Sequence, residues 1–120
     1  MENTTYKAVN LATGQVIADK VKIAQDYKSR SVGLLNRASL TSGEGLLIKP
    51  CNSIHTFFMR FPIDVLFLDR KGKVVKVRKS LGPWRLCAAS KSGYMTLELM
   101  DKALDMVRVS IGDSIGIIKI

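Results

Sequence analysis

The stretch "HTFFMRFPIDVLFLDRKGKVVKVRK", residues 55–79, decides the fold. From Ile63 to Leu68 every residue is apolar except Asp64, and from Lys73 to Lys79 valines are interspersed with lysines and an arginine. Both runs are rich in β-branched and apolar side chains, and "RKG" between them suits a tight turn, so the pattern predicts a β-hairpin. In its first arm, strand alternation puts Ile63, Val65 and Phe67 on one face, and Leu66 and Leu68 on the other with Asp64. In its second arm Val75 and Val77 are expected on one side, with Lys76 and Arg78 on the other. A carboxylate is thereby assigned to an apolar face, where a charge persists only if it is paired or hydrogen-bonded.

Working outward, most of the chain reads as short strands. "YKAVNLATGQVIADKVKIA", residues 6–24, has two β-rich runs around Ala12-Thr13-Gly14, which predicts a second hairpin. Asp26 is a suitable N-cap for a helix carrying Tyr27, Ser31, Leu34 and Leu35 at helical spacing and ending near Asn36, although Gly33 weakens it by roughly 1 kcal/mol. "LLIK" before Pro50 reads as a strand. In "YMTLELM" Met95, Leu97 and Leu99 face one side, with Tyr94, Thr96 and Glu98 on the other. A helical turn around "DKALDM", then "VRVSI", a turn at Gly112-Asp113 and a strand in "SIGIIKI" complete the chain. Pro83-Trp84-Arg85 reads as a hairpin closure that lays the indole across the sheet. The expected fold is α+β and mainly antiparallel β, a compact, partly closed barrel-like sheet with one short helix near residues 26–36, in a single domain over 1–120.

Composition narrows the function classes. The 120 residues are 47% hydrophobic and 24% charged, ordinary for a globular protein, and no run is apolar over the roughly 18 residues of a membrane helix. The N-terminus lacks a basic region followed by an apolar block, so a cytoplasmic location is expected. Two cysteines, Cys51 and Cys87, are too few for a disulfide scaffold and are expected as free thiols. The net charge of +9 is concentrated: residues 70–91 hold eight basic and no acidic side chains, while the rest of the chain holds 11 basic and 10 acidic. Such a stretch attracts phosphates or an acidic protein surface.

The chain resembles domain-of-unknown-function family 192 across nearly its whole length. The resemblance rests on Gly33-Leu34-Leu35 with Arg37 and Leu40, on Gly45-Leu46-Leu47, and on "IHTFFMRFPIDVLFLD". It continues in "KGKVV", "PWR" at 83–85, "LEL" at 97–99 and Gly112-Asp113. It implies a small β-rich fold with one helix, and no established biochemical activity. Some members look exported. After "LEL" the family tends to show Pro-Ala-Gly, whereas Met100, Asp101 and Lys102 stand here.

The chemistry-bearing residues gather in two groups. His55, Arg60 and Asp64 lie close in sequence, and Met59, Arg85 and Glu98 lie on segments able to join them. This set reads either as a clamp, in which Asp64 pins "HTFFMRFP" to the sheet through Arg60, Arg85, His55 or backbone N–H groups, or as a polar pocket for an anionic or carbonyl-bearing small ligand. The second group, Lys71, Lys73, Lys76, Arg78 and Lys79 with Trp84, would track a nucleic-acid backbone or an acidic partner, or simply keep a strand solvated. Zinc-type ligand pairs are missing around Cys51, His55, Cys87 and Asp64, and a Cys51–His55 nucleophile has no identifiable orienting group. Phosphate-loop, dinucleotide and nucleophile-elbow motifs are absent. The sequence therefore favours a non-catalytic binding module without metal or cofactor. Nucleic-acid binding through 70–91 and a small hydrolase built on Asp64, Glu98 and His55 are the alternatives.

Overall fold

A computed structural model describes residues 4–89 and 91–120; the first three residues of the N-terminus and the side chain of Tyr27 in the expected helical stripe lie outside the described residues. The chain forms β1 (Tyr6–Asn10), β2 (Val16–Ala24), α1 (Tyr27–Val32), β3 (Glu44–Ile48), β4 (Ser53–His55), β5 (Ile63–Leu68), β6 (Val74–Leu81), β7 (Leu86–Ala88), β8 (Met95–Met100), a 3-10 turn at Ala103–Asp105, and β9 (Ile115–Lys119). Seven strands make one sheet in the order β6-β5-β8-β3-β2-β1-β9, and β4 pairs with β7 in a small separate sheet. The large sheet is mixed. β2 and β3 run parallel because α1 and its flanking loops carry the chain across, whereas the other neighbours in the large sheet are antiparallel.

The expected hairpins form. β1 and β2 turn through Gly14 at φ 78°, and β5 and β6 through Gly72 at φ 86°. The helix is shorter than its pattern predicts. Asp26 caps it by accepting the Ser29 N–H at 2.7 Å, but it stops at Val32 because Gly33 turns to φ 50° and donates its N–H to Ser29. A bulge in β6 also overturns the expected facing of its valines: Val77 packs against one core and Val75 against the other. "VRVSI" runs on without strand pairing, and the small strands β4 and β7 were not anticipated.

Two cores flank the sheet. The first collects Ala8, Val21, Leu47, Leu66, Leu97, Leu104 and Ile115 from strands at both ends of the order, so the sheet curls around it as half a barrel. The second lies on the opposite face, where Leu34, Leu40, Ile54 and Met59 from the covering segments meet Leu46, Ile63, Val65 and Phe67. That second face carries the site.

Candidate functional site

Strand register decides which acids can meet. On β8, Glu98 lies opposite Val65 of β5 and Leu46 of β3, both in the second core, whereas Asp64 lies opposite Leu99, which belongs to the first. Asp64 and Glu98 therefore project from opposite faces of the sheet, and no cleft holds both.

Asp64 is fully buried and its carboxylate is satisfied by main chain. Oδ1 accepts the Ser80 N–H at 2.8 Å and Oδ2 the Leu104 N–H at 2.9 Å. It clamps the end of β6, where Ser80 has φ 51°, to the 3-10 turn. The expected partners Arg60, Arg85 and His55 are all exposed, and the clamp grips a different part of the chain from "HTFFMRFP".

Glu98 has the contrary environment. It is 4% exposed, no hydrogen bond or ion pair to it exists among the described residues, and burial alone pushes its carboxyl up to about 7. It faces a cavity of about 230 Å³ bounded by α1 and the turn after it, by β4, and by Cys51 and Met59. Gly33 brings its backbone over the acid: a Cβ there would lie 3.9 Å from Glu98 Oε1. Arg30, from the last turn of α1, lines the same cavity. Its Nη1 donates to the Pro50 carbonyl at 3.2 Å, while its Nε is buried and has no acceptor among the described residues. The Cys51 thiol, also in the wall, donates to the Ser53 carbonyl at 3.2 Å. Among the described residues no three His, Cys, Asp or Glu side chains come close enough to share a metal ion.

Of the expected ligand-binding set, the structure thus brings together His55, Met59 and Glu98, and leaves Asp64, Arg60 and Arg85 elsewhere. Arg30 and Gly33 were missed as wall residues. The one available signal was a glycine interrupting a helical pattern. A neighbouring cavity of about 390 Å³ lies beyond Gly33 and Leu34, but its acid is satisfied: Glu44 pairs with Arg37 at 2.8 Å and accepts from the hydroxyl and N–H of Thr41.

The basic side chains do not share one face. Lys76 donates to the Ala88 carbonyl at 2.6 Å, toward β7, while Lys79 pairs with Asp105 at 3.2 Å on the 3-10 turn. Lys71 and Lys73 sit at the far end, in the β5–β6 turn, with their N–H groups on Asp69. Trp84 does not lie across the sheet. It is 59% exposed and packs against Phe58, with ring centroids 4.7 Å apart.

A seven-stranded mixed sheet curled into half a barrel, with a small apron of helix and two-stranded sheet over a partly polar cavity, defines the class of this protein. The chain belongs to domain-of-unknown-function family 192 (DUF192, "Uncharacterized ACR"), whose model matches residues 8–117. It is 33% identical over 102 residues to a UPF0127 protein of Pyrococcus abyssi, covering 80% of this chain and 84% of that one. To a UPF0127 protein of Thermococcus sibiricus it is 31% identical over 112 residues, 89% of this chain and 71% of that one. A crystal structure of a protein of unknown function from Novosphingobium aromaticivorans shares the fold, with a TM-score of 0.81 and 18% identity over 94% of this chain and 84% of that one. No helix among the described residues is long and apolar enough to cross a membrane.

Proposed function

We propose that this protein is a binding module for a small polar ligand, held in the cavity between α1, β4 and Glu98. The observation that carries this reading is the Glu98 carboxyl, buried at the wall of a cavity without a partner among the described residues. Burying an unpaired carboxyl costs stability, and a fold keeps such a group where something else uses it. The volume of about 230 Å³ is below the roughly 300–1,000 Å³ of sites for drug-sized molecules, which favours a small ligand. Segments that carry the family resemblance converge on the cavity: Gly33-Leu34-Leu35, the His55 to Met59 end of the central motif, and Glu98 of "LEL".

The nucleic-acid reading has less support, since Lys76 and Lys79 are engaged by Ala88 and Asp105 on different sides of β6. The hydrolase reading needs Asp64 and Glu98 on one side of the sheet, and the register gives them opposite sides. A thermal-shift screen of small polar compounds against the wild type and Glu98→Gln tests the proposal. A ligand at a hundred times its dissociation constant stabilises by about 2.7 kcal/mol, which raises the melting temperature by several degrees. Hits that act on the wild type and not on the variant support the cavity; hits acting equally on both, or none at all, overturn it.

A further inference from the structure

The chemistry of the cavity wall specifies the ligand further. Taking the cavity as the binding site, we infer that its ligand is a small zwitterion, an α-amino acid or a close relative, with its ammonium on Glu98 and its carboxylate on Arg30. Two side chains of opposite charge line this space, each with unused hydrogen-bonding capacity among the described residues: the Glu98 carboxyl, which no donor there reaches, and the buried Arg30 Nε, which has no acceptor there. They do not satisfy each other, so a molecule between them must offer a donor at one end and an acceptor at the other. A bare amine would leave Arg30 unpaired beside a second cation. Above pH 7, where Glu98 is ionised, a bare carboxylate would meet it with like charge. A neutral amide offers both functions, and its bonds to Arg30 and Glu98 would be charge-assisted too, but it leaves both side chains without a counter-charge, which is costly for a buried charge. Leu34, Leu35, Ile48, Ile54 and Met59 supply the apolar part of the wall, which suits a short aliphatic side chain, and Ser31, Cys51, Ser53 and His55 supply its other polar groups.

The same arrangement links binding to protons. Glu98 is flanked in the sheet by Leu46 and Val65, and the other titratable or charged groups in the cavity wall are Arg30 from α1, the Cys51 thiol and His55 from β4. Burial holds the Glu98 carboxyl up to about 7, so an ammonium must displace its proton at lower pH. Affinity then falls about tenfold per pH unit below 7 and levels off above it.

The test is a calorimetric and NMR titration of the whole chain at pH 6 and pH 8 with four matched probes: 2-aminobutyrate, butylamine, butyrate and butyramide. The zwitterion is expected to bind at least tenfold more tightly than the other three at pH 8, and about tenfold more weakly at pH 6 than at pH 8. Glu98→Gln should remove that pH dependence and most of the affinity. Arg30→Met should reduce zwitterion binding to the level of butylamine while leaving butylamine itself unweakened, a switch in preference that a merely structural arginine would not produce. His55→Gln controls for the imidazole in the same wall and should keep most of the pH dependence. If butyramide or either monofunctional probe shifts the cavity resonances and binds as tightly as the zwitterion, the inference falls while the cavity stands as a ligand site. If none of the four perturbs Glu98 or Gly33, the inference falls, and the wider compound screen decides the cavity.

Discussion

Asp64 and Glu98 stand one residue out of step on neighbouring strands, and that offset gives two carboxyls opposite fates. Asp64 gains two main-chain N–H donors in a fully buried position. Asparagine there keeps one acceptor but turns an amide N–H toward the other donor, so Asp64→Asn should lose about 3 kcal/mol or more in urea unfolding. Glu98 gains no donor among the described residues, and the sign of its effect reverses. Its folded-state value of about 7 lies above the 4.5 of an unperturbed glutamate, so between these pH values the folded state binds more protons than the unfolded chain. Stability is full below about pH 4.5, falls by roughly 3 kcal/mol as pH rises to about 7, and is flat beyond. Glu98→Gln should flatten this profile and be the more stable protein at pH 8, read from urea midpoints at pH 5, 6, 7 and 8. A wild type whose stability is level across that range would contradict the buried, unpaired acid.

At the scale of elements, Thr56 ties together the loop after β4 and the loop before β7. It is fully buried; its hydroxyl donates to the Gly82 carbonyl at 2.6 Å and accepts the Arg85 N–H at 2.9 Å, and its carbonyl accepts the Trp84 and Met59 N–H groups. These bonds hold Phe58 and Trp84 at φ 67° and 65°, which non-glycine residues rarely adopt, with both rings turned outward. Thr56→Val keeps the shape and leaves the Gly82 carbonyl and the Arg85 N–H without their part-buried hydroxyl partner, so it should cost about 2 kcal/mol, whereas Trp84→Ala loses only ring contacts with Phe57 and Phe58 at the surface and should cost about 1 kcal/mol or less. Equal losses in thermal unfolding would mean that the rings, and not Thr56, hold the loops. This region was the least legible in the sequence. The β5–β6 hairpin could be read because two β-rich runs of six and eight residues flank a glycine turn, but β4 and β7 have only three residues each, too few for a pattern to register. The nearness of His55, Arg60 and Asp64 in sequence therefore suggested one site, while the chain carries Arg60 to the surface and Asp64 to the first core. Alternation set Glu98 and Thr96 apart from Met95, Leu97 and Leu99, as the sheet does, but Tyr94, expected with Glu98, packs against the first core just before β8. The separation of Glu98 from Asp64 depends on register between strands, which a single sequence does not specify.

At the scale of the molecule, the half-barrel is drawn together by a seam between the β5–β6 turn and the start of β9. Lys73 bridges Ser114, the Val74 N–H reaches the Asp113 carbonyl at 2.8 Å, and the Ile115 N–H reaches the Gly72 carbonyl at 2.9 Å. Gly72 is required twice over, because its φ is 86° and a Cβ would come within 2.7 Å of the Ile115 carbonyl oxygen. Gly72→Ala should therefore cost roughly 2–4 kcal/mol, combining backbone strain with a displaced seam. The seam adjoins the first core, through Val74 and Ile115, while Glu98 and its cavity belong to the second face. The two changes should then be additive: Gly72→Ala lowers stability at every pH by a similar amount and leaves the fall between pH 4.5 and 7 in place. Measured together, the variants ask whether the sheet insulates its two faces. A Gly72→Ala protein that kept its fold but lost the Glu98 pH dependence would mean that the cavity is built by the closure of the barrel and not by the apron of α1 and β4.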